Sequence, residues 1–63
     1  MTLKEARQAA GMTQVQLSSE SNVGLGTIQR IENGKLEVAS VGTLLKLCKA
    51  LGCDISIFFS NHD

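Results

Sequence analysis

The stretch RQAAGMTQVQLSSESNVGLGTIQRIENG, residues 7–34, decides the fold of this chain. Its first half predicts a short helix that begins after Thr13. Thr13 and Gln16 have the spacing of a capping box, in which each side chain accepts a hydrogen bond from the backbone N–H of the other residue. Asn22 tolerates left-handed backbone angles and therefore predicts a turn at the end of this helix.

A second short helix follows the turn. Gly24 is an acceptable N-cap, Ile28 and Ile31 give residues 25–33 a buried stripe at helical spacing, and Gly34 suits the left-handed position that ends a helix. Two short helices that flank a tight turn have the layout of a helix-turn-helix. In that motif the helix after the turn enters the major groove of DNA.

Further helices are predicted on both sides of this pair. Residues 3–10 form the first helix, with Thr2 and Glu5 as another capping box. The fourth helix begins after Ser40 and ends at Gly52. Its apolar residues recur at helical spacing, and they are Val41, Leu44, Leu45, Cys48 and Leu51.

A short fifth helix is predicted after Asp54, which caps it. Its packing residues are Ile55, Phe58 and Phe59. The predicted fold class is therefore all-α: a compact five-helix domain that covers residues 1–63, in which helices 2 and 3 form the helix-turn-helix. Residues 60–63 are expected to be a frayed tail.

The length and net charge of the chain limit the classes of function that it can have. A chain of 63 residues has room for one domain, and a domain this small is marginally stable, which favours association with another copy. Lys and Arg total 6 and Asp and Glu total 6. The zero net charge counts against nucleic-acid binding by bulk electrostatics, although a local basic patch remains compatible with it. The aromatic residues are Phe58 and Phe59, which disfavours single-stranded binding on stacked aromatic side chains.

The two cysteines, Cys48 and Cys53, form neither a disulfide framework nor a zinc site, because four residues separate them and no histidine is near. They are expected to be ordinary small apolar residues in a reducing cytosol. No segment approaches the ~20 apolar residues of a membrane helix, and the N-terminus lacks the apolar core of a signal peptide. We therefore expect a cytoplasmic protein without metal or cofactor.

Three motifs carry a resemblance to a known family. They are G-M-T-Q-x-x-L at residues 11–17, T-I-x-R-I-E-N-G at residues 27–34 and L-L-K-L-x-K-A-L-G at residues 44–52. In this order and spacing they resemble the phage-repressor, or Cro-type, helix-turn-helix family of XRE-like transcriptional regulators. The resemblance covers residues 3–59 and implies a sequence-specific double-stranded DNA-binding regulator, expected to be a repressor.

The resemblance also implies a division of roles. Arg7 and Glu32 match a structural ion pair of the family between the first helix and the recognition helix. The positions that match base-reading residues are Leu25, Gly26, Thr27, Gln29 and Arg30. The positions that match phosphate contacts are Gln14, Asn33 and Lys35. Thr13 extends the same phosphate site, because free N–H groups and the helix dipole favour an anion at a helix N-terminus.

The residue types suit these roles. Arg30 offers two donors to guanine, and Gln29 offers a donor and an acceptor to adenine. Leu25 suits contact with a thymine methyl group, and Gly26 lets the backbone approach DNA. The alternative is that Gln29 and Arg30 are ordinary solvated side chains. Departures from the family weaken the base contacts more than the fold. Gly24 replaces a Ser or Thr cap, Leu25 and Gly26 occupy positions that are more often polar or basic, Ser18 replaces a small alanine, and Ala39 replaces a proline before the fourth helix.

Several readings of function stay open. The leading one is a homodimer that reads two DNA half-sites. Its predicted interface is Ile55, Ile57, Phe58 and Phe59, which alternatively complete a thin core. The second is a protein-interaction module, such as the antitoxin of a toxin–antitoxin pair. An enzyme is disfavoured, because the chain has no His-Ser-Asp set, paired acids or Gly-rich phosphate loop.

Overall fold

The computed structural model describes residues 2–36 and 39–59. Within this part of the chain the structure has four α-helices, a short 3₁₀ helix near the C-terminal end and no strand. In chain order the elements are α1 (Leu3–Ala9), α2 (Gln14–Ser21), α3 (Leu25–Glu32), α4 (Val41–Leu51) and the 3₁₀ helix (Ile55–Phe58). The predicted all-α class is correct. The expected frayed tail, residues 60–63, lies outside the described residues.

The predicted number of α-helices, five, is too high by one, because the last predicted helix is not an α-helix. The segment after Asp54 forms a 3₁₀ helix of 4 residues. Ile57 donates its N–H to the carbonyl of Asp54 at 3.1 Å, and Phe59 donates to Ser56 at 3.0 Å. Both bonds span three residues, which is the 3₁₀ pattern. A segment this short gains little from the wider α-helical turn, which needs a longer run of hydrogen bonds to form.

Side-chain caps set the helix starts. The side chain of Thr2 accepts the N–H of Glu5 at 3.1 Å, and the carboxylate of Glu5 accepts the N–H of Thr2 at 2.8 Å. Thr13 and Gln16 make the same reciprocal pair at 3.0 and 2.8 Å. Both predicted capping boxes are therefore present, and each satisfies two N–H groups that the helix leaves free.

Serine side chains hold the turn between α2 and α3. Asn22 has the predicted left-handed backbone, with φ of 62°. The Ser18 hydroxyl donates to the carbonyl of Val23 at 2.6 Å. The hydroxyl of Ser21 donates to the carbonyl of Leu17 at 2.6 Å and accepts the N–H of Val23 at 3.2 Å. The serine at position 18, which departs from the family's alanine, thus ties α2 to the turn that precedes α3.

The core lies where α2 contacts both α3 and α4, with α1 packed on α3. Leu17, Ile28 and Leu47 are fully buried at its centre. The apolar stripe expected on α4 is partly wrong, because Val41 is 60% exposed and Leu45 is 47% exposed. The buried face of α4 is instead centred between Leu44, Leu47 and Cys48.

The helices are short. None of the helices in residues 2–36 and 39–59 has the length and hydropathy that a membrane crossing requires.

Candidate nucleic-acid interface

A polar network joins α1, α2 and α3. The guanidinium of Arg7 donates from Nε to Oε2 of Glu32 at 2.7 Å and from Nη2 to Oε1 at 3.1 Å. It also donates from Nη1 to the carbonyl of Met12 at 2.8 Å. Gln14 donates from Nε2 to Oε1 of Glu32 at 3.0 Å. The structure therefore brings together Arg7 and Glu32, the expected ion pair, and adds Gln14 and the loop before α2 to it.

The network is mostly screened from solvent. The side chain of Arg7 is 11% exposed and that of Glu32 is 5% exposed. Burial pushes the pKa of Glu32 upward, but hydrogen bonds from Arg7 and Gln14 and the charges of Arg7 and Lys4 outweigh it, so the pKa is lowered from its usual value. The hydrogen bond to Glu32 raises the pKa of Arg7. Both groups are thus charged at neutral pH. Their ion pair fixes the C-terminal end of α3 to α1.

The outward side of α3 carries most of the predicted base-reading residues. Gly26, Gln29 and Arg30 are exposed, whereas Leu25 and Thr27 are half-buried. The inward side is anchored by the buried Ile28 and Ile31. The outward side is therefore a polar surface, and the buried side chains on the opposite side of α3 hold the helix in position.

Gly26 and Arg30 lie one helical turn apart, and the Arg30 side chain extends toward Gly26. A Cβ atom placed on Gly26 would lie 3.9 Å from Nη1 of Arg30. The guanidinium of Arg30 therefore lies toward the N-terminal half of α3. This is the half that must face the bases if Gln29 and Arg30 are both to reach them.

The N-terminus of α3 differs from that of α2. Gly24 caps α3 without any side-chain hydrogen bond, whereas Thr13 and Gln16 cap α2 reciprocally. The first N–H groups of α3 consequently have no side-chain acceptor. Free N–H groups at a helix N-terminus attract anions, so the glycine cap leaves this end of α3 open to a phosphate.

The predicted phosphate contacts lie at two places. Thr13 and Gln14 are at the start of α2, and Asn33 and Lys35 follow α3 as exposed residues. The hydrogen bond between Gln14 and Glu32 brings the two places together, because Glu32 directly precedes Asn33. The amide of Gln14 keeps a second N–H, and the hydroxyl of Thr13, which accepts from Gln16, keeps its own proton to donate.

The four apolar residues predicted at a dimer interface do not share one environment. Ile55 and Phe58 are partly buried and pack against the core. Ile57 is half-buried, and Phe59 is 58% exposed. Of this set, Phe59 is therefore the residue with the most apolar surface available to a second copy.

Comparison with known proteins places this arrangement in a family. A family model described as helix-turn-helix matches residues 3–58. The chain belongs to this helix-turn-helix family, as the resemblance predicted.

A relative within the curated proteins is the Mycobacterium tuberculosis protein named "Putative antitoxin HigA2". It is 38% identical over 55 residues, which cover 87% of this chain and 54% of the relative. The chain thus spans about half the length of this relative. No solved structure is significantly similar to the chain.

Proposed function

We propose that this chain binds double-stranded DNA by placing α3 in the major groove, and that it represses transcription from the sites it binds. One observation carries the proposal: the outward side of α3 presents Gln29 and Arg30 to solvent, while the Arg7–Glu32 pair and buried isoleucines fix its inward side. A reading helix needs this combination, because side chains discriminate bases only when their backbone is held in place.

Within α3 we assign Arg30 the main base contact. Its guanidinium can donate two hydrogen bonds to one guanine, and it lies toward Gly26 in the N-terminal half of the helix. Gln29, beside it, suits adenine. Leu25 and Thr27 are half-buried, so we assign them contacts through their exposed edges, Leu25 with a thymine methyl group.

The phosphate contacts follow from the free donors around α3. We assign one phosphate to the start of α2, where Thr13 and the second N–H of Gln14 remain available. We assign another to Asn33 and Lys35 beyond the end of α3. Phosphate contacts of this kind set the register of a protein on DNA without reading sequence. The zero net charge of the chain makes such localised contacts more important than the overall field.

We further propose that residues 1–63 act as one domain and bind DNA as a homodimer. One short reading helix contacts too few base pairs for useful specificity, and two of them on a two-fold axis read paired half-sites. Phe59 and Ile57 are the surface that we assign to the second copy. We assign no catalytic activity to the chain, because its family is a DNA-binding one without enzymatic function.

The deciding experiment is selection of bound duplexes from a random DNA library, with wild type, Arg30→Ala and Lys49→Ala in parallel. Lys49→Ala removes the same charge from an exposed position on α4. We expect wild type to enrich a two-fold symmetric motif, Arg30→Ala to lose preference at one position in each half-site, and Lys49→Ala to match wild type. Equal effects of both variants would show that Arg30 contributes charge alone, and absence of any enriched motif would overturn the proposal.

A second candidate function is that of an antitoxin that binds a protein toxin. The similarity to the M. tuberculosis relative favours it, as do the exposed apolar side chains of Val41 and Leu45 on α4. The two functions separate cleanly: substitutions at Gln29 and Arg30 should abolish DNA recognition and leave toxin binding intact.

A further inference from the structure

The end of α4 brings the two cysteines of the chain together. Gly52 has a left-handed backbone, with φ of 68°, and the N–H of Cys53 donates to the carbonyl of Cys48 at 3.0 Å. The first N–H after Gly52 thus makes the longer bond of a Schellman motif, which frequently brings the side chains at the positions of Cys48 and Cys53 into contact. Both thiols are free, and they lie close enough to interact with each other.

The two thiols differ in their access to solvent. Cys48 is 4% exposed, whereas Cys53 is half-buried. Burial, helped by a hydrogen bond with Cys53, raises the pKa of the Cys48 thiol to about 12. Because the thiolate is the reactive form of cysteine, a reagent in solution meets Cys53 first and Cys48 only through Cys53.

We propose that Cys48 and Cys53 form a thiol–disulfide exchange site, which small disulfides oxidise to a disulfide bond across the end of α4. The Cys53 thiolate attacks one sulfur of a disulfide such as glutathione disulfide and releases one thiolate, leaving a mixed disulfide. Cys48 loses its proton to solvent and attacks the Cys53 sulfur, releasing the second thiolate. The two protein thiols lose two electrons and two protons, and the small disulfide is reduced to two thiols.

The position of the site gives this oxidation a structural consequence. The 3₁₀ helix follows Cys53 after one residue, and it packs against α4. A bond between Cys48 and Cys53 closes the turn that connects these two elements, whose ends the backbone hydrogen bond between the same two residues already holds together. The bond therefore restricts the unfolded chain more than the folded one, which stabilises the fold. This consequence does not depend on DNA binding.

The test uses the full chain treated with glutathione disulfide, followed by thiol counting, mass spectrometry under denaturing conditions and thermal unfolding. We expect the wild-type chain to remain monomeric in mass, to lose two hydrogen atoms and both titratable thiols, and to melt about 5 °C higher than the reduced chain. Reduction should restore the original melting temperature.

Two variants identify the order of attack. Cys48→Ala should stop at the mixed disulfide with glutathione, because the resolving thiol is missing. Cys53→Ser should stay unmodified, because Cys48 is buried. A wild-type chain that keeps its glutathione adduct, links to a second chain or does not react would overturn the proposal. If Cys48→Ala does not fold, the comparison of wild type with Cys53→Ser decides the question.

Discussion

The two junctions of this small fold are held by different forces. At the N-terminal junction, where Arg7, Gln14 and Glu32 meet, α1, α2 and α3 are joined by directed hydrogen bonds and one ion pair. At the C-terminal junction, Leu51 of α4 and two residues of the 3₁₀ helix, Ile55 and Phe58, pack partly buried against the core. No ion pair joins the 3₁₀ helix to α4 in the part of the chain that the structure describes.

This difference predicts how each junction responds to mutation. Removing one member of a buried ion pair leaves the other charge without a partner, and the cost is large. Apolar burial, in contrast, stabilises in proportion to the area removed from water, so a smaller side chain costs a graded amount. The N-terminal junction, which fixes the proposed reading helix, should therefore be the less tolerant of the two.

The largest effect is expected for Arg7→Ala. Loss of the guanidinium leaves Glu32 buried without its cation, and we expect the free energy of unfolding to fall by about 3 kcal/mol, as measured by urea denaturation at low temperature. The preferred DNA sequence of the residual folded protein should not change. Arg7→Lys, which keeps the charge but not the paired geometry, should lose less. Unchanged stability of Arg7→Ala would contradict the structural role of the pair.

A smaller effect is expected for Phe58→Ala at the C-terminal junction. Because Phe58 is only partly buried, we expect a loss of about 2 kcal/mol in the free energy of unfolding. Phe58→Leu keeps most of the apolar area and should lose less than half as much. Equal losses for alanine and leucine would show that the ring makes a specific contact rather than a graded one.

The pH dependence of stability tests the N-terminal junction separately, because only that junction contains a titrating ion pair in the described part of the chain. The pKa of Glu32 is lowered in the folded chain, so its contribution is present above its unfolded pKa of about 4.3. That contribution is lost as the pH falls through the lower folded pKa. Urea denaturation of wild type between neutral pH and pH of about 3 should show this acid loss, and Glu32→Gln should flatten it. The pKa of Glu5 is also lowered, by hydrogen bonds from Thr2, so Glu5→Gln is the control and should remove a smaller share. If Glu32→Gln keeps the full acid dependence, the pair is not its source.

The smallest effect on stability is expected for Phe59→Ala, because Phe59 is 58% exposed. We expect a change below about 0.5 kcal/mol, together with a shift from dimer to monomer in analytical ultracentrifugation. Val15→Ala, which trims another exposed apolar side chain at 63% exposure, is the control and should leave association unchanged. A wild-type chain that is already monomeric at high concentration would argue against the proposed dimer.

Most of the fold could be predicted from local signals. The capping residues Thr2, Thr13 and Ser40, and the turn at Asn22, act within a few residues of the helix ends that they set. The periodic apolar pattern identified α4 but not its buried face, because Val41 and Leu45 share the helical spacing of the core residues. Which side of an apolar helix turns inward depends on the neighbours that it meets.

Some features of the candidate site could likewise be predicted from the sequence, and others depended on the tertiary structure. The sequence by itself determined the order of the helices, the caps and the residues that α3 carries, since these depend on chemistry between near neighbours. The Arg7–Glu32 pair was expected from the resemblance to the family, whereas only the tertiary structure decided that Gln14 bonds Glu32, 18 residues away, and that Arg7 also reaches the carbonyl of Met12. No periodic pattern encodes such contacts, because they arise only when separate helices pack and bring the partners within hydrogen-bond distance.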